Sequence, residues 1–191
     1  MGIEFEATFT NIDKQDVRDR LKSVGAKLLR KEGLMRRTVF HLPCKKDIDS
    51  HWLRVRDEGD KITMSLKIVN GAKIENQREI CLKIEDFDTG VEFLESIGAG
   101  KKSYQETLRE LWELDGVEIT IDTWPFLEPF VEVEGPDEPS VKVASIKLGF
   151  DYDSALFCAT DELYSRKYNI SKYRISNETP KIVFDMENPF I

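Results

Sequence analysis

Ile3-Glu4-Phe5-Glu6-Ala7-Thr8-Phe9-Thr10 alternates without a break: Ile3, Phe5, Ala7 and Phe9 are apolar, whereas Glu4, Glu6, Thr8 and Thr10 are polar. A period of two sends successive side chains to opposite faces, so the segment reads as a β-strand with one dry and one wet face. Its wet face carries two carboxylates roughly 7 Å apart.

The same pattern recurs along the chain. Residues 34–42 read as a strand ended by Pro43. Residues 52–56 and 62–68 pair about the turn Glu58-Gly59-Asp60, and 74–84 follows the hairpin signal Asn70-Gly71. Residues 105–114 and 117–123 flank the tight turn Asp115-Gly116, and 130–134 is the next strand. Residues 44–51 are polar and read as a loop. Val17, Leu21 and Val24 recur at helical spacing before Gly25; Val91, Phe93, Leu94 and Ile97 do so after a cap at Asp86 or Asp88 and before Gly98. Residues 139–148 and 154–166 read as two further helices. The polar stretch 168–191 is expected to be irregular and either to pack poorly or to act as a lid. A short repeat, Leu21-Lys22-Ser23-Val24-Gly25-Ala26 and Leu94-Glu95-Ser96-Ile97-Gly98-Ala99, suggests two related strand–helix–strand halves.

The wet faces share a theme. After Glu4 and Glu6 come Arg54 and Arg56, then Thr63, Ser65 and Lys67, then Arg78 and Arg109. Glu118, Thr120 and Asp122 follow, and then Glu132 and Glu134. Like charges share a strand and repel, with no neighbour arranged to cancel them pair by pair. A one-sided sheet with a solvated outer face carries a similar pattern. Here, however, the opposite face is apolar on nearly every strand, and at least three amphipathic helices are available to cover it. With helices outside, the sheet closes and its charged face becomes a lumen. There, carboxylate oxygens suit Mg²⁺ or Mn²⁺, arginines hold phosphate oxygens, and metal reconciles the acidic wall with a polyanion.

Composition narrows the alternatives. The chain has 191 residues, enough for one domain with a substantial core, and a net charge of −8, against a non-specific nucleic-acid binder. No basic–apolar leader opens it and no apolar run is long enough to cross a bilayer, so a cytoplasmic protein with no membrane partner is expected. Cys44, Cys81 and Cys158 are odd in number and far apart, which argues against a disulfide framework or a thiolate zinc site.

These residues resemble the CYTH superfamily, which includes class IV adenylate cyclases, thiamine triphosphatases and inorganic tripolyphosphatases. The family signature ExExK is matched by Glu4 and Glu6 but ends on Thr8. Leu53-Arg54-Val55-Arg56, the Lys67 strand, Arg78-Glu79, Arg109, Asp122 and Phe130-Val131-Glu132-Val133-Glu134 follow in the family's order over about residues 3–150. The resemblance implies an α+β fold: a closed eight-stranded antiparallel β-barrel, the triphosphate tunnel, with helices packed outside. That domain would span 1–166, with a C-terminal tail over 167–191. It implies Glu4 and Glu6 as catalytic residues, and metal at Glu4, Glu6, Asp122, Glu132 and Glu134. It implies substrate contacts from Arg54, Arg56, Lys67, Arg78 and Arg109, with Thr8 beside them.

The implied activity is metal-dependent hydrolysis of tripolyphosphate, thiamine triphosphate or a nucleoside triphosphate. Class IV adenylate cyclase and a non-catalytic triphosphate-binding protein stay open, as does a homodimer. Two departures bear on this. Thr8 stands where the family has a lysine, and Thr107 where many members have a basic residue, each removing a positive charge. Val39 replaces a tyrosine that some thiamine triphosphatases carry. Arg36, Arg37 and Lys102 read as a solvated face, and Trp52, Trp112 and Trp124 as core or helix-packing residues.

Overall fold

The computed structural model describes residues 1–43 and 50–191; the loop read over 44–51 falls outside them except for its last two residues. Strands β1 (Gly2–Ile3) and β2 (Phe5–Phe9) form one interrupted N-terminal strand. Helix α1 (Lys14–Ser23) leads into the long β3 (Lys27–Phe40), followed by β4 (His51–Asp57), β5 (Ile62–Val69) and β6 (Gln77–Ile84). Helix α2 (Phe87–Ser96) leads into a second long strand, β7 (Lys101–Leu114), then β8 (Val117–Thr123) and β9 (Phe130–Gly135). Helices α3 (Glu138–Lys147), α4 (Thr160–Tyr168) and α5 (Lys172–Asn177) and the short β10 (Lys181–Ile182) follow.

The strands pair in the order β1-β6-β5-β4-β3-β7-β8-β9-β2. Both ends of that order belong to one stretch of chain, residues 2–9. At the step between them, Glu4 N–H donates to the Gln77 carbonyl at 3.0 Å. The sheet is therefore an antiparallel barrel, of eight strands when 2–9 is taken as one. β10 adds in parallel beside the start of β7, with Lys181 opposite Tyr104.

Local chemistry sets the helix ends. Asp13, Asp86 and Asp137 each accept backbone N–H bonds at the starts of α1, α2 and α3, each cap contributing about 1 kcal/mol. The repeated hexapeptides end α1 and α2 alike: Gly25 and Gly98 adopt φ of 80° and 88°. Ala26 N–H reaches the Leu21 carbonyl, and Ala99 N–H the Leu94 carbonyl. Each motif delivers the chain into a 14-residue strand, and those two strands, β3 and β7, pair with one another.

Two apolar clusters cover the barrel's outer face, and a third lines part of its lumen through Trp124, Tyr164, Ile175 and Ile182. Ala7, Phe9, Ile119, Ile121, Val131 and Val133 pack beneath α1 and α3 with Val17, Leu21, Val141 and Leu148. Phe40 and Val55 pack under α2 with Phe87 and Leu94. The third cluster joins Trp124 and Phe130 to Leu163 and Tyr164 of α4, Ile175 of α5, Ile182 and Phe190. Burying each such side chain contributes about 1.5–3 kcal/mol.

Several boundaries differ from the sequence reading. β3 starts at Lys27 rather than 34, because register shifts between Leu28 and Arg30 and between Arg30 and Gly33 break the alternation. Ile74–Asn76 is a 3₁₀ turn, so β6 starts at Gln77. The helix expected over 154–166 starts at Thr160, since Leu156 exchanges backbone hydrogen bonds with Thr8. The stretch 168–191 is not irregular. It forms α5 and β10 and buries Ile175, Ile182, Val183 and Phe190. Among the described residues no helix is long and apolar enough to cross a membrane.

Candidate functional site

The barrel encloses a cavity of about 350 Å³, at the small end of the range for ligand pockets. Its acidic wall comes from the N-terminal strand and β9. Register places Glu6 opposite Glu134, and Glu134 opposite Glu118 of β8. One carboxylate oxygen each from Glu4, Glu6 and Glu134 lies within 4.8 Å of the others. Lys67 Nζ, from β5, stands 2.8 Å from Glu4 Oε2. Burial, then the neighbouring Glu132 charge, holds the Glu6 carboxyl well above the usual range, against the pull of Lys67. Burial and then Glu4 push Glu134 up to about 7. Three converging carboxylates sharing one ammonium make a hard oxygen donor set short of positive charge, and a divalent cation fits it.

Asp122 and Glu132 lie outside that trio. Arg109 of β7 takes both: Nε donates to Asp122 Oδ1 at 2.7 Å and Nη2 to Glu132 Oε2 at 2.5 Å. Thr120 Oγ1 donates to the other Asp122 oxygen at 2.6 Å, and Asp122 is fully buried. Burial works against the Arg109 charge, but Asp122 and Glu132 raise its proton affinity well above normal. Arg109 is thus a clamp across three strands rather than a free fork.

The basic wall is built by β3, β4 and β5. Arg54 Nη2 donates to Glu79 Oε1 at 3.0 Å, and Arg56 Nη2 lies 2.5 Å from Glu58 Oε1. Glu58, at the turn after β4, is 6% exposed and also meets Arg30 and Lys61. Burial and the Arg54 charge bring Arg56 down to about 10. Among the described residues, the buried Nε atoms of Arg54, Arg56 and Arg37 have no hydrogen-bond partner. They are unsatisfied buried donors on residues that line the cavity.

Two sequence expectations are redirected. Arg78 pairs with Ile3 and Ile68 and is exposed on the outside of the barrel; the pleat turns Glu79 inward instead. Of the three basic residues read as a solvated face, only Arg36 is outside, where it bonds Asp57 and lies over Phe87. Arg37 and Lys102 line the cavity. Thr8 is buried opposite Glu132, and Thr107 accepts a hydrogen bond from Arg37 Nη2 at 2.9 Å. Trp112 packs in the core with its Nε1 donating to Glu110, while Trp52 and Trp124 line the cavity.

Residues 9–157 match the family model of the CYTH domain. The chain belongs to the CYTH family. The match begins just after Glu4 and Glu6. Among solved structures, the CYTH chain is similar to a conserved hypothetical protein from Pyrococcus furiosus, with TM-score 0.68 and 21% identity over 84% of this chain and 99% of that one. A Vibrio parahaemolyticus protein that carries an adenylate cyclase name gives TM-score 0.73 at 12% identity, over 86% and 98% of the two chains. A Hippeastrum protein named as an adenylyl cyclase, and described as having a dominant triphosphatase activity, gives TM-score 0.58 at 14% identity, over 90% and 97%. None of the curated proteins compared matches the chain. At these identities the structural likenesses establish the fold. Enzymes of the CYTH family act on triphosphate substrates and generally need a divalent metal.

Proposed function

We propose that this CYTH chain hydrolyses a small molecule bearing a triphosphate, either tripolyphosphate itself or an organic triphosphate such as thiamine triphosphate or a nucleoside triphosphate. One observation carries the reading: the carboxylate trio Glu4, Glu6 and Glu134 and the arginines Arg54 and Arg56, with unused Nε donors, share one enclosed cavity. Mg²⁺ or Mn²⁺ would be held by Glu4, Glu6 and Glu134, and a bound ion supplies positive charge that polarises the phosphate oxygens.

The chain's own groups divide the remaining work. Arg54 and Arg56 grip phosphate oxygens and stabilise charge as it develops on the transferred phosphoryl group. Lys67 balances Glu4 and Glu6. Glu6, one of the three carboxylates converging on the cavity, accepts a proton from the attacking water. The water oxygen bonds to phosphorus, the bridging P–O bond breaks, and the leaving phosphate keeps the electron pair.

The test is phosphate release from tripolyphosphate, thiamine triphosphate and ATP with Mg²⁺ or Mn²⁺, wild type against Glu6→Gln. Metal-dependent release that falls at least about a hundredfold in the variant is expected for loss of a proton acceptor. Cyclic AMP as the main product from ATP would replace hydrolase by cyclase. Tight binding with no turnover, at neutral and alkaline pH and with both metals, would leave a binding protein, the reading that Thr8 favours.

A further inference from the structure

Arg37 is a buried guanidinium with no carboxylate in contact among the described residues. It is 5% exposed. Nη2 donates to Thr107 Oγ1 at 2.9 Å, Cζ lies 4.5 Å from the Trp124 ring centroid, and Nε has no partner. The other arginines of the cavity wall are paired: Arg54 with Glu79, Arg56 with Glu58, Arg30 with Glu58 and Asp60, and Arg109 with Asp122 and Glu132. Burial, then Arg54, Arg56 and Arg109, pull the proton affinity of Arg37 well below normal; Asp122 opposes them but is already engaged by Arg109 and Thr120.

Burying a charge without an opposite one is costly. Thr107 and Trp124 orient the guanidinium plane, the hydroxyl from one edge and the indole from one face, but neither neutralises it. For Arg54 or Arg56, gripping phosphate means loosening an existing ion pair. For Arg37 the phosphate would be the first counter-charge, so the gain on binding is undiluted.

We propose that Arg37 is the principal anion-receiving residue of this tunnel, held by Thr107 and Trp124 with its fork open for the oxygens of a polyphosphate. The inference rests on the triphosphate reading for the ligand only, not for turnover.

The experiment measures binding of inorganic tripolyphosphate to the full chain without divalent metal, by calorimetry, together with the melting temperature of the ligand-free protein. Arg37→Met should bind roughly tenfold to a hundredfold more weakly, the range for a charge-assisted hydrogen bond. Its ligand-free melting temperature should not fall, because the change removes an uncompensated charge. Arg54→Met, which strands Glu79, should melt lower. Arg37→Lys keeps the charge without the fork and should bind between wild type and Arg37→Met; it also serves if the methionine variant does not fold. Unchanged affinity in Arg37→Met or, should that variant not fold, in Arg37→Lys overturns the proposal, and a lowered ligand-free melting temperature with unchanged affinity shows a structural role against Trp124. A wild type that binds tripolyphosphate through Arg37 but releases no phosphate with metal leaves Arg37 standing and removes the hydrolase. A wild type that does not bind tripolyphosphate without metal overturns the Arg37 proposal and leaves the hydrolase to the metal-dependent release assay.

Discussion

Replacing Glu79 by glutamine tests the internal charge balance of the tunnel. Burial on its own would raise the Glu79 carboxyl, but Arg54, then Lys67, then the Ser65 hydroxyl outweigh it and hold it at about 2 against an ordinary 4.5. At about 1.36 kcal/mol per pH unit, that difference corresponds to about 3 kcal/mol of folding free energy. The carboxyl is depressed in the folded state, so the contribution is complete above pH 4.5 and drains away as pH falls from 4.5 toward 2. Glutamine keeps the shape, leaves no cavity and removes the charge. Glu79→Gln should therefore be about 3 kcal/mol less stable than wild type at pH 7, with a smaller gap at pH 3.5. Urea denaturation followed by tryptophan fluorescence at pH 7, 5 and 3.5 reads both. Equal midpoints at pH 7, or a gap that does not narrow on acidification, would refute the electrostatic account of how Arg54 is kept in place.

Arg109→Met should cost about 3–5 kcal/mol, because it leaves Asp122 and Glu132 as buried carboxylates without their cation; a loss below about 1 kcal/mol in urea denaturation would contradict the clamp. Glu134→Gln should abolish the Mn²⁺-dependent rise in melting temperature, a rise worth about 2.7 kcal/mol in wild type at a hundredfold excess over Kd. Because burial and Glu4 hold Glu134 at about 7, its ionisation drains folding stability as pH rises from 4.5 through 7, so the metal-free variant should melt above metal-free wild type at pH 8. Phe190→Ala should cost about 3–5 kcal/mol, since its ring packs 4.8 Å from that of Tyr164 and 5.4 Å from that of Tyr168; a melting temperature equal to wild type would contradict that packing.

Much of the barrel was legible because its two faces differ so sharply in chemistry. β2, β8 and β9 put Ala7, Phe9, Ile119, Ile121, Val131 and Val133 outward and their carboxylates inward, and that contrast survives in the alternation. β6 illustrates where legibility ended. Its outward residues Ile80 and Leu82 are exposed, with no helix over them, and they share a face with Arg78. Following those apolar neighbours outward would have turned Glu79 into the lumen. On β3 the inward face mixes Met35 and Val39 with Arg37, so a period-two reading had no clean contrast with which to recognise the arginine. The ion pairs that set Asp122 and Glu132 apart from the carboxylate trio of Glu4, Glu6 and Glu134 depend on which strand lies beside which, and no linear pattern encodes that. The last stretch was misread for a simpler reason: its apolar residues follow neither a helical nor a period-two spacing, yet Ile175, Ile182, Val183 and Phe190 reach buried positions.

The change of partner at Glu4 has a consequence for how the protein is made. Residues 2–9 precede both of their partners in the chain, yet they are the seam: one end waits for β6 and the other for β9, some 120 residues downstream. Pairing with β9 brings Glu4 and Glu6 to Glu134 and covers one free sheet edge, and pairing with β6 covers the other. The acidic trio thus depends on the β2–β9 pairing, a contact between distant parts of the sequence of the kind that forms slowly. Anything that holds residues 2–9 elsewhere leaves an open, adhesive sheet with its carboxylate trio unassembled.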